Sequence, residues 1–141
     1  MALTRTEREK FLSEPHIAAL SVDAGPDRAP LTVPIWYQYL PGGQPWVLTG
    51  KTSKKAELIR AAGRFTLMVE RLEPSVRYVS VSGTVDRIDE GTHEQLREMT
   101  SRYLPADKVD GYLEFAKNNL EDEVAIYLRP EHWLSADMGS A

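Results

Sequence analysis

Two alternating segments, Arg64 to Arg71 and Val76 to Ile88, are separated by only the four residues LEPS, and this closeness restricts the fold more than any other feature. Phe65, Leu67 and Val69 fall on one side of the first segment, while Val79, Val81 and Val85 oppose Ser80, Ser82 and Thr84 in the second. A period of two is that of a half-buried strand. A parallel crossover needs a dozen or more residues, so so short a link can only close an antiparallel hairpin.

The remaining segments extend that pattern. His16 to Val22 (HIAALSV) is a compact apolar run that ends at the turn-rich DAGPDR, and Ala29 to Leu40 reads as one longer strand. PGG at 41 to 43 turns the chain, Gln44 to Thr49 returns as a third strand, and the three make an antiparallel meander. Glu123 to Arg129, with Val124, Ile126 and Leu128 alternating, is the last strand. Helices are expected at Thr4 to Ser13, capped by Thr4 or Thr6 and stopped at Pro15, and at Thr52 to Ala62, with Gly63 just past its end. Leu96, Met99 and Tyr103 mark a third helix over Thr92 to Leu104; Val109, Tyr112, Leu113, Ala116 and Leu120 mark a fourth, beyond Pro105. The expectation is a single domain over residues 1–141, mainly β with flanking helices, built as a six-stranded antiparallel small barrel, closed or half-open.

Composition narrows the chemistry. Without cysteine there is no disulfide, no thiolate metal site and no thiol nucleophile, so redox activity would have to come from a bound organic cofactor or haem. Twenty-one acidic against 17 basic residues, a net charge of −4, argue against a nucleic-acid partner. The charged start and the lack of a long apolar stretch predict neither a signal peptide nor a membrane span, with the cytoplasm as default compartment. His16, His93 and His132 are widely spaced and no metal site is expected; Glu121 to Glu123 reads as a solvated connection into the last strand.

Two places stand out. Pro34 interrupts LTVPIWYQYL, where it removes a ladder donor, so it marks either a plain sheet edge or a backbone along which a ligand lies. In GKTSKKAEL, Lys51, Lys54 and Lys55 gather at a helix start together with two hydroxyls. Lysines there oppose the helix dipole, so the cluster is either a solvated basic patch or an anion site, and free backbone N–H groups at a helix N-terminus suit a phosphate.

The segments EPHIAALSV, APLTVPIWYQY, WVLTGKTSKKAELIR, FTLMVE, RYVSVSGTVDRID and EDEVAIYLRPEHW together resemble the pyridoxamine 5′-phosphate oxidase-like split β-barrel proteins, the FMN-binding split barrels. More narrowly, they resemble the branch that uses the 5-deazaflavin coenzyme F-420 in place of FMN. The likeness runs from about residue 7 to residue 135 and rests on the order V-P-x-W-Y, T-G-x-x-S-x-K, R-Y-V-x-V-x-G at these spacings.

The resemblance implies that the cofactor ring lies against Val33, Pro34, Ile35 and Trp36, and that its phosphate is held by Thr49, Gly50, Lys51, Ser53 and Lys55, with Lys54 as a further cation. It implies a homodimer with two cofactors in interface grooves, where Arg77, Tyr78 and Trp133 reach the partner's cofactor. It also implies an oxidoreductase passing hydride from F-420 to an unsaturated small molecule of the enone, quinone or tetrapyrrole class. An FMN-dependent relative, a non-catalytic cofactor carrier and a haem or tetrapyrrole binder are the alternatives. Ala56 and Glu57 depart from the asparagine or arginine common in relatives, and the arginine and histidine groups by which the dedicated oxidases hold pyridoxamine phosphate are missing. Trp36, Tyr37, Tyr39 and Trp46 are expected near the groove, where they either stack on an acceptor or pack the core. No proton donor is assigned, Tyr37, Tyr39, Tyr78 and solvent being open; Arg60 and Arg64 are candidates for a polyglutamate tail.

Overall fold

In the computed structural model, which describes residues 1–119 and 122–139, the hairpin demanded by the alternation is present. β5 (Arg64–Arg71) and β6 (Val76–Glu90) pair antiparallel from Arg64 opposite Thr84 to Arg71 opposite Arg77. The elements before them are α1 (Arg5–Ser13), β1 (Ala18–Val22), β2 (Leu31–Ile35), β3 (Tyr37–Gln38), β4 (Trp46–Gly50) and α2 (Lys54–Ala62); after them come α3 (His93–Tyr103), α4 (Ala106–Asn119), β7 (Glu123–Leu128) and β8 (His132–Gly139).

The strands follow the path β2-β1-β5-β6-β7-β4-β3, with β8 pairing β6 off this path. The first and last strands of the path are consecutive in the chain, separated only by Trp36. A twisted antiparallel strip whose two ends are one stretch of backbone must curl on itself. The result is the expected split barrel, opened between β2 and β3. Long β6 serves both halves: its first part carries β5 and β8, its second part carries β7, with an irregularity between Val85 and Arg87.

The strand number differs from the six expected. The stretch from Ala29 to Leu40 divides into β2, bonded to β1, and β3, bonded to β4, because the chain changes partner at Trp36, just after the proline that cannot donate to a ladder. β8 is an additional strand. Its outward-facing, half-polar sequence HWLSADMG, with poor strand formers at Asp137 and Gly139, carries no clean alternation.

Local chemistry explains the helix bounds. Thr4 and Glu7 exchange a capping box, Thr4 Oγ1 accepting from the Glu7 N–H at 3.2 Å and Glu7 Oε1 from the Thr4 N–H at 2.9 Å. Thr92 and Gln95 do the same for α3, and Gly63 closes α2 in the left-handed conformation at φ 72°. The core gathers Phe11, Leu12, Leu20, Val47, Ile59, Leu67, Val79 and Ile126, all buried. α3 is pinned to α1 and to the strand switch: Arg102 donates to the Ser13 and Glu14 carbonyls at 2.8 and 2.9 Å, and Tyr103 reaches His16 and Tyr37. Leu120 and Glu121, which the sequence assigns to α4 and to the acidic connection, lie outside the described residues. No helix among the described residues is long and apolar enough to cross a membrane.

Candidate functional site

Where β2 ends and the barrel is split, a cavity of about 370 Å³ opens. One end is apolar. The switch between β2 and β3 supplies Pro34, Ile35 and Trp36, and Ile17, Leu96 and Met99 add to it. Pro34 pairs with Ala19 of β1 on one side, and its strand ends the sheet path, so the missing N–H breaks no ladder and the open side faces the cavity. The Trp36 ring is held from behind, stacked on Tyr103 at 4.8 Å and 20° and tilted against Tyr112 at 5.6 Å.

The other end is polar. β4 ends there with Thr49 and Gly50, and the first turn of α2 adds Lys55. Ser53 caps α2, its Oγ accepting from the Ala56 N–H at 3.2 Å and lying 3.0 Å from Thr49 Oγ1. The three lysines separate into different roles. Lys51 is exposed and bound to Glu90 at 3.0 Å; Lys54 is exposed and faces Glu57 at 3.7 Å. Those carboxylates already offset the unfavourable placement against the dipole. Lys55 is partly buried, lines the cavity, and makes no hydrogen bond or ion pair among the described residues. A single unspent ammonium, two adjoining hydroxyls and a helix N-terminus form a donor set suited to a phosphate.

Of the sequence-derived site residues, Pro34, Ile35, Trp36, Thr49, Gly50 and Lys55 thus line one cavity, and Ser53 adjoins it. Val33 lies on the opposite side of β2 from Pro34 and packs against the core. Lys51 and Lys54 point to solvent. Arg77, Tyr78 and Trp133 sit elsewhere: Arg77 is bound to Asp137 through Nε and Nη2 at 3.0 and 2.9 Å, Tyr78 lies between Glu70 and Ala136, and Trp133 packs under Arg8 at 4.6 Å. Arg60 is engaged with the Lys51 carbonyl at 3.0 Å, and Arg64 lines a different cavity.

The aromatic set is also divided. Only Trp36 of the four lines the cavity. Tyr37 and Tyr39 are core residues, with the Tyr37 hydroxyl donating to the Leu12 carbonyl at 2.6 Å, and Trp46 packs on Tyr127 at 6.0 Å. Burial raises the Tyr37 hydroxyl far above the usual phenol range and pushes Tyr39 up to about 12, so neither is poised to release a proton. His16 is held against the Phe11 carbonyl at 3.0 Å, while His93 and His132 lie on α3 and β8.

Two polar residues of the cavity escaped the sequence reading. Tyr112 arrives from α4 and Glu123 from β7, directly across from Gly50 of β4. Glu123 is partly buried, and burial raises its carboxyl above the ordinary range, so it is not a solvated connector. The signal was present: Glu123 shares the strand face of buried Ala125, the alternate face to Val124, Ile126 and Leu128.

Comparison with known proteins adds the following. A family model described as pyridoxamine 5′-phosphate oxidase matches residues 4–136. Among solved structures, a conserved hypothetical protein from Mycobacterium tuberculosis is 23% identical, with 97% of this chain and 86% of that one covered at a TM-score of 0.73. A protein described as an F420 reductase is 24% identical, with 89% and 94% covered at 0.70. A haem storage protein from Vibrio cholerae is 16% identical, with 99% and 98% covered at 0.64. At these identities the likeness is one of fold. No curated protein matches significantly.

Proposed function

The chain belongs to the pyridoxamine 5′-phosphate oxidase family, and on that footing we propose that it is a homodimeric oxidoreductase that seats the deazaflavin coenzyme F-420 in the Pro34–Lys55 groove and serves the reduction of an unsaturated small molecule. One observation carries this reading. A single cavity joins a flat apolar end at Pro34, Ile35 and Trp36 to the donor set of Lys55, Thr49 and Ser53, the two chemistries a phosphate-bearing tricyclic ring requires. Similarity to an F420 reductase supports the choice of ring.

When bound, the deazaflavin supplies a hydride. The chain's own part is positional. Pro34 offers an apolar surface with no backbone donor of its own, Ile35 adds an apolar side chain, and Trp36 closes the apolar end from a rotamer fixed by Tyr103 and Tyr112. Lys55, with the Thr49 and Ser53 hydroxyls, anchors the phosphate and so sets how far the ring reaches along β2. About 370 Å³ lies near the lower end of the range for ligand sites, roughly 300–1,000 Å³, which leaves room for a partner to extend the enclosure. A second copy would complete it. Exposed Ile17 at the cavity and exposed Leu134 and Met138 on edge strand β8 are apolar surface for such a partner, and Arg77, Tyr78 and Trp133, remote from this chain's cavity, would serve the partner's.

FMN is the second reading, favoured by one observation. Arg60 is spent on the Lys51 carbonyl and Arg64 faces another cavity, so neither extends the groove's positive charge toward a polyanionic tail. A haem binder is not favoured, since no histidine lines the cavity.

Titration of the purified protein with F-420 and with FMN, followed by absorbance, tests the assignment. F-420 is expected to bind the more tightly. Retention of FMN without F-420 binding would replace the first reading with the second, and a Soret band would bring back the haem reading. Turnover of a quinone or enone with reduced F-420 separates an enzyme from a carrier.

A further inference from the structure

The anion end of the groove contains a group that an anion site should not contain. Glu123 stands across the β4–β7 ladder from Gly50, and a paired residue in such a ladder lies about 5 Å away between Cα atoms. Its side chain borders the cavity that holds Thr49, Gly50 and Lys55, and it makes no hydrogen bond or ion pair among the described residues. The fold fixes it there: the Gly91 N–H donates to the Glu123 carbonyl at 2.9 Å and the Lys51 N–H to the Asp122 carbonyl at 2.8 Å, so the strand start is clamped on both sides.

An ionised carboxylate so placed repels an incoming phosphate in a partly desolvated groove, where like charges interact more strongly than in water. Only two outcomes are open: the anion is refused, or the carboxylate takes a proton. We propose that Glu123 is a specificity-determining residue of the groove, one that admits an anion beside Lys55 only in its neutral form, so that seating a phosphate is coupled to the uptake of one proton. This rests on the cofactor reading above and adds a condition to it.

Burial has already moved Glu123 in the required direction; Tyr112 of α4, which lines the same cavity, is raised by its own burial first and by Glu123 second. The other charged groups near it are accounted for. Lys55 faces it from α2, while Lys51 of the β4–α2 link is held by Glu90 of β6. Glu123 and Leu96 also border a second cavity, of about 520 Å³. There α3 presents His93 and Arg97, α4 presents Asp110, Glu114 and Lys117, and Asp122 precedes the strand; Arg97 is bound to Asp110 at 3.2 Å. Of these groups His93 is the one imidazole, and it serves as the control below. The sign follows from linkage. A bound anion raises the Glu123 pKa above its value in the free protein, so affinity is greatest below the free value and falls through the interval between the two as pH rises.

The test is calorimetric titration of FMN and of F-420 into wild-type protein and Glu123→Gln, each in two buffers of different ionisation enthalpy. The ligand's own phosphate titrates in both proteins, so the difference counts Glu123. At a pH inside that interval, located from the pH profile of affinity, wild type should take up close to one proton more than Glu123→Gln, and its affinity should fall about tenfold per pH unit there, with the variant much flatter. A His93→Gln control should retain the uptake. Equal proton counts and parallel pH profiles with cofactor bound would overturn the role of Glu123 and leave the cofactor reading standing. If wild type binds neither cofactor, the functional reading falls; the same comparison with inorganic phosphate then decides Glu123, with no binding or no extra proton counting against it. Carboxyl-carbon NMR of Glu123 in wild type, free and loaded, covers the case of a variant that does not fold: an unchanged titration midpoint refutes the coupling.

Discussion

The Tyr103 hydroxyl closes the backbone of Tyr37 at the point where the barrel splits, accepting from the Tyr37 N–H at 3.1 Å and lying 3.0 Å from the Tyr37 carbonyl while donating to the His16 carbonyl at 2.7 Å. A chain that leaves one strand partner before joining the next strands a peptide group between ladders, and here a side chain from α3 satisfies it. The same ring stacks on Trp36. Tyr103→Phe keeps that stack and removes the hydroxyl, so it should cost about 1–3 kcal/mol, the penalty of leaving a buried donor unpaired. Urea unfolding of the two proteins measures it; an unchanged midpoint would mean that the switch does not depend on this bond.

The division among the lysines yields a ranking. Lys55→Ala should weaken phosphate-bearing cofactor by about 1.5–3 kcal/mol, the range for a hydrogen bond to a charged group. Lys54→Ala should stay within about 1 kcal/mol, since Lys54 is an exposed cation paired with Glu57 along the helix. Equilibrium titration of both variants gives the comparison, and equal losses would return the cluster to a diffuse basic patch.

How far the sequence was legible depended on which interactions were local. Most strands and the ends of α1 and α2 were readable because the period of two, the Thr4 cap and Gly63 act within a few residues. Parts of the V-P-x-W-Y and T-G-x-x-S-x-K stretches lie at the two ends of one cavity. Which lysine faces it was not readable, because Glu90, the partner of Lys51, is 39 residues distant. β8 was missed because its order comes from pairing with β6, and Tyr112 and Glu123 were missed because only the packing of α4 and β7 around β4 brings them to Lys55.

Asp137 makes an acid-sensitive fastening for β8. It accepts from the Gly139 N–H at 2.9 Å, from the Ser75 hydroxyl at 2.8 Å and from Arg77, and these together hold its pKa down at about 2. A depressed carboxyl stabilises the fold fully above its unfolded value, near 3.9, and the contribution disappears as pH falls through the folded value. Thermal midpoints should therefore fall between about pH 4 and pH 2, more steeply in wild type than in Asp137→Asn. Parallel curves would show that these contacts do not hold β8.

The proposed homodimer places a requirement on the outer face of β8. Leu134 and Met138 are 65% and 61% exposed on a strand whose one ladder partner among the described residues is β6, its far side being bonded at Asp137 to the backbone of Met1, and such exposure is a costly arrangement for a chain that stays alone. Sedimentation should give twice the chain mass for wild type, and Leu134→Asp should shift the protein to monomer and weaken cofactor binding together. A monomeric wild type would refute the arrangement.

Gly83, the last residue of R-Y-V-x-V-x-G, has ordinary backbone angles, so its role is space. A Cβ there would come within 1.8 Å of the Arg129 carbonyl oxygen. The chain between β7 and β8 crosses β6 at this point, with the Arg129 N–H donating to the Thr84 carbonyl at 2.9 Å and the Glu131 N–H to the Ser82 carbonyl at 3.0 Å. Because the obstacle is hydrogen-bonded backbone, Gly83→Ala must push the crossover away and loosen β8 with it. Gly63→Ala is the natural comparison: nothing lies within 4 Å of that Cβ, and only the left-handed φ of 72° opposes it, at about 1–2 kcal/mol. Gly83→Ala should cost more, beyond the ~1–3 kcal/mol typical of overpacking, and should also dissociate the proposed dimer. If urea unfolding ranks Gly63→Ala as the more damaging, the crossing is looser than these distances imply and β8 does not depend on Gly83.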